Sequence, residues 1–157
     1  MPTAIRLKRA RLNDAEALHR MQVEAFAPLL AKYRDTAISP AAETLDDVRG
    51  KLAQMQTYYY YIMLGDRAVG AIRVINHRDP KRRKVISPLY ILEPYRRRGY
   101  ARQAIEAVER LHGEEHWALD TVAEEPGNCH LYESMGYRRE GAPQRVRDNM
   151  TIVDYVK

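Results

Sequence analysis

Three consecutive arginines followed by a glycine are the residues of this chain best suited to binding an anion. Arg96, Arg97 and Arg98 precede Gly99, between a segment with the pattern of a strand and one with the pattern of a helix. The first N–H groups of a helix lack partners within the helix, and with the positive end of the helix dipole they bind phosphate. Glycine allows close approach of the backbone, and arginine adds charge-assisted hydrogen bonds. The pattern predicts either a pyrophosphate site or an ordinary helix start.

Basic residues are concentrated around this turn. Between residues 78 and 102 the chain has nine basic residues and two acidic ones, Asp79 and Glu93. Such a local excess suits a polyanion, which could be nucleic acid, a membrane surface or a phosphorylated cofactor, and it also occurs on solvated surfaces. We favour the phosphorylated cofactor because Gly99 lies inside the basic run.

Hydrophobic periodicity predicts the elements that must position the turn. The predicted strands cover residues 3–9, 57–64, 68–75, 84–92, 116–122 and 150–156. The predicted helices begin near residues 13, 44, 99 and 127. Runs of strands mixed with strand–helix units predict a mixed sheet flanked by helices.

Local signals refine these elements. Asn13 is the expected N-cap of the first helix, and Pro28 is expected to end or bend it. Gly65 and the following aspartate form a hairpin signal. Pro88 suggests that its strand is an edge strand or contains a bulge. Residues 58–61, all tyrosines, are expected to direct two rings into the core and two towards solvent or a ligand.

Composition restricts the class of protein. The chain has 157 residues and a net charge of +5, and 45% of its residues are hydrophobic, enough for the core of one domain. A membrane-spanning helix needs about 20 apolar residues in a row, and no run in this sequence approaches that length. The first residues lack the apolar part of a secretory signal, and one cysteine cannot form an internal disulfide. We expect a single domain over residues 1–157 in the cytoplasm.

Two segments resemble the hallmark motifs of the GNAT superfamily of N-acetyltransferases. Segment 91–101 contains Arg96, Gly99 and Ala101, which fill the family's acetyl-CoA signature Gln/Arg-x-x-Gly-x-Gly/Ala. Segment 131–137 reads Leu-Tyr-Glu-Ser-Met-Gly-Tyr and is similar to the family's Leu-Tyr-Glu-x-x-Gly-Phe/Tyr. The order of the predicted elements matches too, so the resemblance covers nearly the whole chain.

The resemblance implies an α/β fold of the mixed α+β kind. Its central sheet is mixed, mostly antiparallel and six- to seven-stranded, and helices flank it. A parallel pair of strands splays apart, and the pantetheine arm of acetyl-CoA lies in the gap; segment 116–122 would be the second strand of this pair. Ile91 would offer main-chain hydrogen bonds to the acetyl or pantetheine group. The residues that the resemblance assigns to the cofactor are Ile91, Leu92, Glu93, Arg96, Arg97, Arg98, Gly99, Tyr100, Ala101, Arg102 and Asn128.

For catalysis, the resemblance implies direct transfer of an acetyl group from acetyl-CoA to a primary amine within a ternary complex. An amine of the lysine type has a pKa of about 10.4, so a base or a water chain must take its proton. Tyr132 corresponds to the family tyrosine that protonates or hydrogen-bonds the sulfur of CoA. Asp120 and Glu124, on or just after the predicted strand 116–122, are the candidate bases. Without the resemblance, all three side chains could equally be structural.

The chain departs from the family pattern at two points. Relatives often have asparagine seven residues before the tyrosine, where this chain has Glu125. Asn128 lies nearby and would more naturally cap a short helix. A proline common at position 93 is found one residue later, as Pro94. These differences concern the contact with the pantetheine arm and the geometry at the end of the strand.

Other patterns indicate different functions. His112 and His116 match an inverted zinc-peptidase motif, but Gly113 is expected to end the helix that this motif requires, so we expect no metal. Cys129 is more typical of a small packing residue than of a nucleophile. An aromatic, basic surface also suits single-stranded nucleic acid, but no RNA-binding signature is present and we expect no nucleic-acid partner.

Two functions stay open at this point. The first is an N-acetyltransferase that acts on a small-molecule or peptide amine. The alternative is a non-catalytic sensor or scaffold of the same fold that binds an acyl-CoA, since the residues identify no single base. The family resemblance allows a homodimer. We expect no membrane partner.

Overall fold

The computed structural model describes residues 4–157 and contains a seven-stranded sheet with helices on both faces. The helices are α1 (Ala15–Tyr33), α2 (Leu45–Ala53), α3 (Tyr100–His112) and α4 (Pro126–Ser134). The strands are β1 (Arg6–Arg9), β2 (Thr57–Leu64), β3 (Arg67–Ile75), β4 (Lys84–Ile91), β5 (Trp117–Val122), β6 (Arg138–Arg147) and β7 (Met150–Val156).

The strands are ordered β1-β2-β3-β4-β5-β7-β6 across the sheet. Every neighbouring pair is antiparallel except β4 and β5, which are parallel. This arrangement confirms the mixed, mostly antiparallel sheet flanked by helices. None of the helices described over residues 4–157 is long and apolar enough to cross a membrane.

Each face of the sheet is covered by its own hydrophobic cluster. Residues of α3 and α4 form one cluster with Trp117 and Leu119 of β5, and residues of α1 and α2 form the other with Tyr59 and Tyr61 of β2. The expectation that two of the four tyrosines face solvent or a ligand is wrong. Tyr60 is also buried, on the opposite face from Tyr59 and Tyr61, because a sheet covered on both sides buries consecutive residues.

Helix α1 differs from the prediction at both ends. Asn13 is not its cap, because residues 12–14 form a 3₁₀ turn that Asp14 closes by accepting a hydrogen bond from the Arg11 N–H at 2.7 Å. Pro28 does not end the helix, which continues to Tyr33. Because proline has no N–H, the carbonyl of Glu24 has no hydrogen-bond donor one turn later in the helix. Both Pro28 and Glu24 are exposed. Water can therefore satisfy that carbonyl, and the cost of the proline is reduced.

Strand β4 carries the feature that shapes the site. It lies between β3 and β5, so the edge-strand interpretation of Pro88 is wrong, whereas the predicted bulge is confirmed. In the register with β3, Ile86 pairs with Val74 and Leu89 pairs with Ile72, so Ser87 and Pro88 together oppose one residue. Strand β6, which the hydrophobic pattern did not reveal, forms the far edge of the sheet, and all ten of its residues are exposed.

Gly70 on β3 allows close contact with β4. A Cβ atom at this position would lie 2.1 Å from the carbonyl oxygen of Tyr90, which belongs to the backbone and cannot rotate away. Gly70 pairs with Ile91, the last residue of β4 and the first residue of the motif 91–101. The absence of a side chain at Gly70 therefore allows the end of β4 to pack closely against β3 beside the turn.

We expect Gly70→Ala to lower the free energy of unfolding by about 3 kcal/mol, because β3 and β4 must separate to admit the methyl group. Urea denaturation monitored by circular dichroism measures the change. The matched control is Gly50→Ala on α2, where a Cβ atom meets nothing within 4 Å. This control should stabilise the protein by about 0.5–1 kcal/mol. Equal effects of the two substitutions would contradict the close contact.

Candidate active site

The parallel pairing of β4 and β5 is short, and it opens a gap in the sheet. The two strands pair only at Lys84 with Trp117 and at Val85 with Ala118. The bulge of β4 follows directly, and bulges bend a strand and increase its twist. Residues 119–122 of β5 then pair only with β7, among the described residues. Beyond Val85, each strand therefore has one side without a ladder partner.

The main chain at the end of β4 is directed into this gap. The N–H of Leu92 donates to the Val69 carbonyl at 2.8 Å, so it faces β3. Neighbouring residues of an antiparallel strand direct their main-chain groups to opposite sides, so the N–H of Ile91 faces the gap. Ile91 is thus placed as expected for main-chain contact with a ligand, whereas the amide of Leu92 is already bonded. Glu93 is exposed in the short 3₁₀ turn that follows.

The turn before α3 has the geometry of an anion site. Arg97 and Gly99 have left-handed backbone angles, with φ of 65° and 80°. Helix α3 begins at Tyr100, and its first i→i−4 hydrogen bond runs from the Gln103 N–H to the Gly99 carbonyl at 3.1 Å. The N–H groups of residues 99–102 therefore have no acceptor one turn earlier in the helix. These groups point out of the helix start, where the dipole is positive.

The arginines of the turn have different roles. Arg96 links the end of β4 to α1. Its Nε donates to the Ile91 carbonyl and its Nη2 donates to the Ala25 carbonyl of α1, each at 2.8 Å. Arg102 donates to the Ser134 hydroxyl of α4. Arg97 lines the cleft beside the turn, whereas Arg98 is exposed and lies outside its lining. Of the three consecutive arginines, Arg97 is thus the one best placed for a phosphate.

Two cavities meet in the gap. The larger, about 690 Å³, runs from the turn along the end of β4, and Gly99, Tyr100, Ala101 and Arg102 are among its lining residues. We call it the donor cleft. The smaller, about 180 Å³, lies between the C-terminal end of α1, the bulge of β4 and strand β5. We call it the acceptor cavity. Both cavities are lined by Phe26, Leu29, Leu89, Asn128 and Tyr132.

Tyr132 lies where the two cavities meet. It extends from α4 and is 8% exposed, with its ring near those of Tyr137 and Tyr155 at centroid distances of 6.2 and 6.0 Å. Burial raises the pKa of Tyr132 well above that of an ordinary phenol, and the negative charge of Asp120 adds to the increase. Its hydroxyl therefore carries a proton throughout the neutral pH range.

Sequence comparison identifies the family to which this architecture belongs. Residues 17–137, well over half of the chain, match the Acetyltransferase (GNAT) family. The chain belongs to the GNAT family. No curated protein sequence matches it at a significant level.

Solved structures share the GNAT fold along almost the full chain. An acetyltransferase from Thermus thermophilus is 21% identical, with a TM-score of 0.71 and 98% of each chain covered. An acetyltransferase from Salmonella typhimurium, which modifies the N-terminal serine of ribosomal protein L7/L12, is 15% identical, with a TM-score of 0.75, 98% of this chain and 94% of that chain covered. RimL, in a complex with coenzyme A, is 12% identical, with a TM-score of 0.71, 98% of this chain and 93% of that chain covered. At these identities the likeness shows the fold.

The two candidate bases of this GNAT protein lie in different surroundings. Asp120 lines the acceptor cavity on β5, directly opposite Asp154 of β7. It is open to the solvent of the cavity, yet the cavity walls reduce its hydration, and this desolvation, with the charge of Asp154, raises the pKa of Asp120. Glu124 lies outside the lining of both cavities, and hydrogen bonds from the N–H and hydroxyl of Thr151, at 2.8 and 2.9 Å, lower its pKa.

Glu125 joins α1 to α4 beside the gap. Its carboxylate accepts hydrogen bonds from the Tyr33 hydroxyl at 2.5 Å and from the Lys32 ammonium at 2.7 Å. Desolvation opposes ionisation, but these hydrogen bonds lower the pKa of Glu125. Sequence reasoning missed Lys32 and Tyr33, since they lie beyond the proline expected to end α1. Asn128 is not a cap, because it lies within α4, whose N-cap is Glu125.

The histidine motif and Cys129 lie outside the gap between β4 and β5. Helix α3 ends at His112 and the chain reverses at His116, which has a φ of 73°, so no continuous helix carries the two histidines. Over residues 4–157, no group of three or more His, Cys, Asp or Glu side chains is placed to hold a metal ion. Cys129 is buried against the α3 side of the core.

If acetyl-CoA binds at this turn, as the family resemblance implies, Gly99→Val should raise its Kd at least about tenfold. A β-branched residue cannot adopt a φ of 80° without strain, so the turn must change shape. Isothermal titration calorimetry measures the change. A Cβ at Gly99 meets nothing within 4 Å, so a steric clash would not explain the loss. Gly50→Val on α2 is the matched control and should leave the Kd unchanged. An unchanged Kd in Gly99→Val would contradict the assigned turn.

Proposed function

We propose that this protein is an N-acetyltransferase that moves an acetyl group from acetyl-CoA to a primary amine by direct attack. The observation that carries the proposal is the junction of two cavities at Tyr132, which lines both. A donor entering from one side of the sheet and an acceptor entering from the other would meet at this hydroxyl. A protein that only bound acyl-CoA would not need a second cavity at the same point.

The described residues fit acetyl-CoA. The donor cleft falls within the volume range of cofactor sites, and the outward N–H groups of residues 99–102 suit a diphosphate. Arg97 would add a charged donor for the phosphate oxygens. The N–H of Ile91 faces the gap and would bond an amide or the thioester carbonyl of the arm. The gap itself has the shape that an extended chain needs to lie between β4 and β5.

Starting from the neutral amine, the reaction needs one proton removed from the nitrogen and one proton supplied to the sulfur. Bound acetyl-CoA supplies an activated acetyl group: the amine nitrogen bonds the acetyl carbon, the carbon–sulfur bond breaks, and the sulfur leaves with the bonding electrons. Burial raises the pKa of Tyr132, which makes the phenol a weaker acid but keeps it protonated, so it would hydrogen-bond the leaving sulfur and pass on its proton as negative charge develops there. Asp120 borders the acceptor cavity, and its raised pKa makes it a stronger proton acceptor than an ordinary aspartate.

Release of free thiol from acetyl-CoA, measured against a panel of primary amines, tests the proposal. We expect turnover with at least one amine and formation of the N-acetylated product, identified by mass spectrometry. The GNAT fold and its likeness to N-acetyltransferases of ribosomal proteins support this expectation. Tight binding of acetyl-CoA without turnover of any amine would overturn it in favour of the sensor or scaffold.

Tyr132→Phe should lower kcat about 10²-fold while leaving the Kd for acetyl-CoA within about twofold of the native value, because only the proton donor is lost. Stopped-flow thiol release and calorimetry measure the two quantities. The matched control is Tyr58→Phe, which removes a hydroxyl that accepts a hydrogen bond from Arg78 and belongs to a residue outside the lining of both cavities. A native kcat in Tyr132→Phe would contradict the acid role.

Asp120→Asn should lower kcat/KM about 10²-fold and remove the acid limb of its pH profile. In the native protein this limb lies above the pH typical of aspartate, because activity is lost as Asp120 gains its proton and its pKa is raised. The matched control is Asp154→Asn, which removes the opposing charge. We expect it to retain activity and to shift the acid limb to lower pH.

The same two variants have an expected effect on stability. A carboxyl with a raised pKa destabilises the fold when ionised, and this cost disappears as the pH falls through the folded-state pKa. Asp120→Asn should therefore raise Tm at pH 7, with a smaller gain at acid pH. Asp154→Asn should act in the same direction, because it removes the like charge opposite Asp120. Loss of activity together with lower Tm in Asp120→Asn would indicate misfolding and would contradict the assignment.

A further inference from the structure

The acceptor cavity has an unusual combination of apolar walls and negative charge. Its walls include Phe26, Leu29, Ile86 and Pro88. Asp35 and Asp120 are the charged residues among the described residues that line it, and Lys, Arg and His do not occur in that lining. A cavity with low-dielectric walls and charges of one sign concentrates ligands of the opposite sign. The cavity therefore suits a cation with an aliphatic skeleton.

One carboxylate oxygen of Asp35 lacks a hydrogen-bond donor among the described residues, and a bound cation would supply one. The residue is 5% exposed. Its Oδ1 accepts the N–H groups of Ala37 and Ile38 at 3.1 and 3.2 Å, whereas its Oδ2 is buried without a hydrogen-bond partner among residues 4–157. A buried carboxylate oxygen without a donor is costly, and proteins rarely leave one unsatisfied. A donor bound beside Asp35 would remove this cost.

The ammonium group of Lys32, near the C-terminal end of α1, does not contact Asp35. The Lys32 ammonium lines the donor cleft, not the acceptor cavity, and is bonded to Glu125. It therefore does not supply the missing donor to Asp35. Since the lining lacks basic side chains, the cavity also offers no partner for a carboxylate on the acceptor. Free amino acids, which carry a carboxylate next to the amine, are thus poor candidates.

We propose that the acceptor is a short aliphatic diamine, whose far ammonium binds Asp35 while its other amine reaches Asp120 and Tyr132. This inference rests on the proposed function and names its substrate class. The methylene groups would lie against the apolar walls, and one nitrogen would bind each of the two carboxylates that line the cavity. The near nitrogen gives its ammonium proton to solvent before it attacks and loses a second proton to Asp120 as the amide forms, whereas the far ammonium keeps its protons and acts only in binding.

The native protein provides the first test. Straight-chain diaminoalkanes are compared with the monoamine and the amino alcohol of the same chain length, at saturating acetyl-CoA, by thiol release. For the best length, kcat/KM of the diamine should exceed that of both analogues at least about tenfold, because only the diamine brings a charged donor to Asp35. A water molecule bound at Asp35 would not discriminate among these amines, so equal values would overturn the proposal.

Asp35→Asn provides the second test. The substitution removes the charge but keeps an acceptor for the N–H groups of Ala37 and Ile38, and it should reduce the diamine-to-monoamine ratio of kcat/KM to about one. The matched control is Asp66→Asn at the exposed hairpin turn, which should keep the native ratio. A native ratio in Asp35→Asn would assign the preference to another group and overturn the proposal.

The outcomes separate this inference from the proposed function. Turnover of monoamines and diamines at equal rates would overturn the diamine proposal and leave the N-acetyltransferase intact. Absence of turnover with every amine would overturn both. If Asp35→Asn does not fold, as judged by its melting curve, the comparison of diamine, monoamine and amino alcohol on the native protein still decides the question.

Discussion

The interrupted ladder between β4 and β5 is the constraint on which the rest of the structure depends. Main-chain N–H and C=O groups are obligatory hydrogen-bonding groups, and a sheet normally satisfies them between strands. Here two strands in the middle of the sheet pair at only two positions and then leave one side of each strand unpaired. The bulge at Ser87 and Pro88 ends the pairing, and proline has no N–H to offer. A ligand that supplies amides in an extended arm would complete the ladder.

The gap also joins the two faces of the sheet, which helices otherwise keep apart. Tyr132 approaches from α4 on one face, while Asp120 lies on the face covered by α1. In the proposed reaction, this phenol would keep its proton until the sulfur leaves, and the carboxylate would accept the proton of the attacking nitrogen. The different surroundings of the two groups cause this difference in proton affinity. The Tyr132 phenol is buried in an aromatic cluster, and the Asp120 carboxylate lies opposite Asp154.

Sequence patterns predicted the parts of the site that depend on local backbone geometry. The turn with Gly99 and the tyrosine motif could be located because a left-handed residue and a helix start have residue preferences of their own. The course of α1 beyond Pro28 could not be predicted, since tertiary contacts and an exposed carbonyl decide whether a helix continues through proline. Strand β6 lacks alternation because its residues are exposed on both faces. Asp35 gave no signal, because its burial depends on the fold.

Arg96 connects the end of β4, beside the donor cleft, with helix α1, which lines the acceptor cavity. One guanidinium holds both the last carbonyl of β4 and a carbonyl of α1, the helix whose end forms a wall of the acceptor cavity. A shift of the turn before α3 would therefore alter the contacts of Arg96 with both β4 and α1. Thermodynamic reciprocity then requires that if the first ligand raises the affinity for the second by some factor, the second raises the affinity for the first by the same factor. If both substrates bind as proposed, Arg96 would therefore couple the binding of one to the binding of the other.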